Sequence, residues 1–173
     1  MVPLEYFDEP RKIGIRAQLF GVGTKESSVA RVSTPRGLAV VTTSRELICV
    51  EGVDIPTVTI EVVRPPTITA LKRGLTCIAD GTTLTISRPT FGLLRRDRDI
   101  LVSGPGVALR VYYERSRRFG IVRDNDKSPL FRQEGSQRLV DVHATPQEVA
   151  IALAVVASGV VLTSSLINFL SPP

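Results

Sequence analysis

The chain has 173 residues, 43% of them hydrophobic and 23% charged, with a net charge of +5 and a sequence pI near 9.7. That composition is enough for one substantial core and argues against wholesale disorder. Two cysteines without C-x-x-C spacing and a single histidine suggest neither a disulfide framework nor a zinc site, so no metal and no cofactor is expected.

Residues 1–11 are acidic and bounded by prolines, and read as a loose lead-in. They lack an apolar h-region, so no secretory signal is expected and the default location is cytoplasmic. From Ile13 the residues alternate: Ile13, Ile15, Ala17 and Leu19 share one side of a period-2 run that Gly21 and Gly23 break. Short aliphatic or β-branched runs follow at 29–32, 38–43 and 46–50, with a turn at Thr34-Pro35-Arg36-Gly37. Thr57 to Val63 is strand material, ended by Arg64-Pro65-Pro66. Strands are expected next at 67–71 and 75–79. Asp80-Gly81 signals a hairpin into 82–86. Further short runs at 91–94, 100–102, 107–113, 118–122, 130–131 and 138–142 are separated by turns at 104–106 and 124–126. No helical pattern is visible before Thr145.

The last segment differs. Thr145 is an N-cap, Pro146 suits the first helical position, and Glu148 completes a capping box. From Val149 to Leu170 no residue is charged, and as a helix this run would span roughly 33 Å. A helix apolar on every side must be surrounded by protein or by lipid. Two readings therefore stand: the core of a β-barrel, or a C-terminal anchor behind a cytoplasmic β-domain. The first is favoured. No flexible tether precedes the helix, and no basic residue follows it. A barrel of about twelve strands also has a lumen too wide for its own side chains to fill.

The fold class expected is mainly β: about twelve short antiparallel strands closed into a barrel around one hydrophobic C-terminal helix, 146–170, in a single domain, 1–173. This layout, with its terminal helix L-V-D-V-H-A-T-P-Q-E-V-A-I-A-L-A-V-V-A-S, resembles the tubby-like superfamily, which includes tubby C-terminal domains, plant LURP-one-related proteins and phospholipid scramblases. The resemblance covers residues 13–170 and concerns architecture, not a signature motif. It implies a barrel threaded by its C-terminal helix. It also makes an anionic phospholipid or a membrane surface the expected partner, with membrane association in view.

One feature of the sequence bears on binding. Arg95, Arg96 and Arg98 lie in one turn, interleaved with Asp97 and Asp99. Arg115, Arg117 and Arg118 form a second cluster beside Tyr112, Tyr113 and Phe119. Guanidinium groups grip phosphates through paired N–H donors, and the two clusters would make one anionic-ligand site if they met at the same barrel end. Solvated hairpin tips neutralised by Asp97, Asp99 and Glu114 are the plainer reading. Nucleic acid is not expected, because the aromatic sheet motif of RNA binders is missing. No catalytic residue is assigned: His143 has no nucleophile beside it, and there is no G-x-S-x-G. Asp124-x-Asp126 lacks the glycine and glutamate of a calcium loop, and Gly21-x-Gly23 lacks a third glycine.

Overall fold

The computed structural model describes residues 1–7, 27–44, 46–61, 66–88, 99–115, 118–124, 126 and 128–161, with backbone only at 7, 27, 28 and 115. The strands are β1 (Val2–Pro3), β2 (Glu5–Phe7), β3 (Ser27–Thr34), β4 (Gly37–Ser44), β5 (Leu47–Gly52), β6 (Val58–Glu61), β7 (Leu75–Ala79), β8 (Thr82–Ser87), β9 (Ile100–Gly104), β10 (Val107–Arg115), β11 (Arg118–Arg123), β12 (Pro129–Glu134) and β13 (Gln137–Val140). Helix α1 (Ile68–Arg73) lies between β6 and β7, and α2 (Pro146–Ala157) follows β13. The expected strands at 13–19 and 91–94 lie outside the described residues.

Among the described residues, thirteen strands form one sheet, in which each strand from β2 to β13 pairs antiparallel with its neighbours in the chain. The two ends of that meander meet at residues 2–7. There β1 pairs with β13 and β2 pairs with β3, with Leu4 between them. The result is a nearly closed antiparallel barrel. Residues 1–7 are therefore not a loose lead-in. Their own alternation carries the reason: Val2, Leu4 and Tyr6 are covered while Met1, Pro3 and Glu5 are exposed. Pro3 is tolerated because Leu4 N–H donates to Arg138 O (2.8 Å). The ladder then places Pro3 at the neighbouring position, where no N–H is required.

Period-2 sequence becomes inside and outside. In β7, Leu75, Cys77 and Ala79 are buried while Thr76 and Ile78 are exposed; in β8, Leu84 and Ile86 point in while Thr83 and Thr85 point out. Asp80 (φ 48°) and Gly81 (φ 76°) make the turn between them, both left-handed as a two-residue hairpin loop of this type requires. Cys77 faces the core. Cys49, in register with Thr59 on the outer face of β5, is only half-buried. With Cys77 inside the wall and Cys49 outside it, the two thiols are free.

The segment 67–71, expected as a strand, is instead the start of α1. Thr67 caps it by accepting from Ala70 N–H (3.1 Å), and Gly74 (φ +87°) stops it after Arg73. One buried residue, Leu71, anchors the helix, and its carbonyl accepts from the N–H of the buried Arg88 (3.1 Å).

Helix α2 occupies the barrel lumen. Seven consecutive residues, Val149 to Val155, are buried, so every face of the helix is covered. It lies against β4, β5 and β6 on one side and β12 on the other. Ala150, Ala152 and Ala154 keep it slim enough to fit. The expected helix 146–170 is not continuous: its regular turns are interrupted after Ala157, and helical backbone returns at Val160 and Val161. Ser158 is the C-cap and Gly159 adopts φ +73°. The buried Ser158 hydroxyl donates to Val155 O (2.7 Å) and accepts from Val160 N–H (3.2 Å), so its side chain replaces backbone partners at the break. Val160 and Val161 remain buried, and residues 162–173 lie outside the described residues. Among the described residues, no helix is long and apolar enough to cross a membrane.

Candidate anionic-ligand site

An antiparallel meander sorts its connections between two ends. Those of β2–β3, β4–β5, β6–β7, β8–β9, β10–β11 and β12–β13 belong to one end. The others belong to the opposite end, together with the residues that lead from β13 into α2. The chain leaves β8 at Arg88 and enters β9 after Asp99; it leaves β10 at Arg115 and enters β11 at Arg118. Both arginine-bearing connections thus depart from and return to the same end, with only β9 and β10 between them. The spacing of neighbouring strands puts their anchor points roughly 10 Å apart.

The individual residues are described unequally. Arg95, Arg96, Arg98 and Arg117 lie outside the described residues. Arg115 is described by its backbone, in Cα register with Arg118 across a bulge after Tyr113. Arg118 is exposed and forms no ion pair among the described residues. The acids that the sequence set against these arginines have strand partners. Asp99 bonds to Arg110 (3.1 Å), while Glu114 lies 3.7 Å from Arg132, which also meets Glu134 at 2.9 Å. The fold adds two cations that motif reading passed over: Lys72 and Arg73, exposed in the last turn of α1 at the same barrel end. The signal for them lay in the basic residues just before Gly74, directly after a segment read as a strand.

The opposite end carries the other sign. Asp54, Asp80 and Asp124 are exposed there, and Asp126 and Asp141 are half-buried. Its described cations are engaged. Arg123 forks Glu148 through Nε (2.6 Å) and Nη2 (2.9 Å), and it also lies 3.5 Å from Asp126. Arg36, in the β3–β4 turn, donates to the carbonyls of Ala144 (2.6 Å) and Val142 (3.0 Å). These contacts fix where the chain turns into the lumen. Glu148 also accepts from Thr145 N–H (2.8 Å), and Thr145 Oγ1 accepts from Glu148 N–H (3.2 Å), completing the capping box. Burial alone would raise the Glu148 carboxyl, but the Arg123 fork and the Thr145 bonds outweigh it and hold the group below its usual value.

The remaining reactive groups are poorly set for chemistry. Burial pushes the Cys77 thiol up to about 11, and burial with Glu51 raises Cys49, so neither is an activated thiolate. His143 is exposed in a turn, its N–H donating to Asp141 Oδ1 (3.1 Å). Among the described residues no cluster of three metal-binding side chains occurs. Compared with protein-family models, curated proteins and solved structures, the chain matches none.

Proposed function

We propose that the protein is a non-enzymatic barrel that binds an anionic phospholipid surface with its arginine-bearing end. One observation carries this reading: the meander topology assigns the two arginine-bearing connections to one end of the barrel and an excess of aspartates to the other. Basic groups gathered at one end add their fields, whereas scattered ones cancel. Lys72, Arg73 and Arg118 are exposed at that end and contribute to the same surface. The nearly closed barrel with a C-terminal helix is compatible in architecture with the tubby-like superfamily, and the lipid class is taken from that resemblance. The raised thiols and the isolated histidine support a binding role over a catalytic one.

Co-sedimentation of the full chain with vesicles tests this reading. Vesicles of phosphatidylcholine containing phosphatidylserine or a phosphoinositide should capture it at low salt and release it at high salt. Replacing Arg115, Arg117 and Arg118 together with alanine should weaken capture. At about 1 kcal/mol for each basic residue near an anionic membrane, the loss is roughly a hundred-fold. Equal capture of the triple variant, or capture by pure phosphatidylcholine, would overturn it.

A further inference from the structure

The β6–β7 connection carries a helix, α1, whereas the β12–β13 connection at the same barrel end is a tight turn at Gly135. That helix is fixed to the wall. Thr67 caps its start, Leu71 is buried beneath it, and Leu71 O accepts from Arg88 N–H (3.1 Å) at the end of β8. Gly74 ends it with φ +87°, and sits so close to β8 that a Cβ there would lie 2.8 Å from Thr85 Cγ2. The side of α1 turned away from the wall is therefore held in place. It presents Ile68, Thr69, Lys72 and Arg73, all exposed. Ile68 lies one turn from Lys72, and Thr69 one turn from Arg73, so the four share one face. No acidic residue occurs from Pro66 to Gly74.

The place of α1 on the rim matters as much as its composition. The β6–β7, β8–β9 and β10–β11 connections follow one another around the same end, each two strands from the last, with anchor points roughly 10 Å apart. Helix α1 thus continues the arc that ends at Arg118. Towards β5 the rim turns acidic, with Glu46 and Glu61 exposed, so the arc is bounded there. We propose that α1 is the element of the barrel that enters an anionic bilayer, with Ile68 at the acyl boundary and Lys72 and Arg73 at the phosphate groups. The proposal rests on the lipid reading above and adds to it an apolar residue that inserts and an orientation for the bound barrel. An exposed aliphatic side chain beside two cations matches a surface that is apolar within and negative at its face, and an anionic bilayer offers both in that order. The long stems of Lys72 and Arg73 reach outward past Ile68, which lets the charges stay at the headgroups while the isoleucine goes deeper.

The chain contains no tryptophan, so a single introduced one reports alone. Two full-length variants place it at opposite ends: Ile68→Trp on α1, and Val53→Trp in the β5–β6 connection, where Val53 is 98% exposed. Each is mixed with phosphatidylcholine vesicles containing phosphatidylserine. The Ile68→Trp emission should shift to the blue and be quenched by brominated acyl chains, while Val53→Trp should do neither. If the chain co-sediments with the vesicles but Ile68→Trp does not respond, or Val53→Trp responds equally, α1 is not the contact and the proposal falls while the lipid reading stands. If the unaltered chain does not co-sediment, both fall. Lys72→Ala together with Arg73→Ala, both at exposed positions, should weaken vesicle capture roughly thirty-fold. Capture unchanged in that double variant would also overturn the proposal.

Discussion

At the scale of single residues, the barrel is pinned where its helix begins. The Glu148 carboxylate serves Arg123 and the Thr145 N–H at once, and its pKa is held below the usual value. In the unfolded chain it returns to about 4.5. The native state therefore binds fewer protons than the unfolded state in the acid range. The stabilisation is fully present above that ordinary value and is lost as pH falls below it toward the lowered native one. Urea denaturation across pH 3–7 should show a flat upper region and a decline below about pH 4.5. Glu148→Gln should be less stable at pH 7 by about 1–2 kcal/mol and should decline less steeply in acid. Gly52 is constrained differently. A Cβ there would sit 2.5 Å from the Leu38 carbonyl oxygen and 3.2 Å from Ile55 Cβ, so the backbone itself would have to shift. Gly52→Ala should cost about 1–3 kcal/mol by denaturant midpoint, with the fold retained.

At the scale of elements, α2 is the part on which the others depend. Its buried run from Val149 to Val155 touches the wall on opposite sides, so it fills space that the strands cannot. Ala152→Asp would place a charge where no solvent reaches and should cost more than about 3 kcal/mol, seen as loss of cooperative melting. Deleting the chain from Thr145 onward should leave no folded β-domain, whereas a β-domain with a separate anchor would remain folded. The element also shows what local pattern misses. An uncharged run to Leu170 suggests one uninterrupted helix, but Ser158-Gly159 breaks the regular turns after Ala157. Small residues in an apolar run read as helix-compatible, and only the buried Ser158 hydroxyl, bonded to Val155 O and Val160 N–H, shows the break. Helix α1 was missed for a related reason. Thr67-Ile68-Thr69 looks like strand sequence, but the Thr67 cap and Leu71 docking override it.

At the scale of the whole molecule, the meander converts chain order into polarity. Alternate connections go to opposite ends, so the β8–β9 and β10–β11 connections leave and return at the end opposite Asp54, Asp80 and Asp124. The proposed lipid surface rests on that division, with vesicle capture of the triple arginine variant as its test. The seam at residues 2–7 is the second whole-molecule property. It joins the first strand to the last through ladders far apart in sequence.

What the sequence determined on its own is what short-range physics controls. Short aliphatic and β-branched runs marked the eleven strands from β3 to β13, Asp80-Gly81 marked a hairpin, and Thr145-Pro146-x-Glu148 marked the start of the helix. Each depends on backbone conformation and hydrogen bonds within a few residues. Two of the candidate arginines, Arg115 and Arg118, were legible as a pair across one turn, whereas the return of the β8–β9 and β10–β11 connections to one end needed the full strand order. Tertiary structure alone decided that residues 2–7 close the wall, that Cys49 and Cys77 lie on opposite faces, and that α2 lies in the lumen. Those outcomes follow from satisfying two distant sheet edges and filling one shared interior. Both are sums over the whole chain, and no local stretch of residues encodes them.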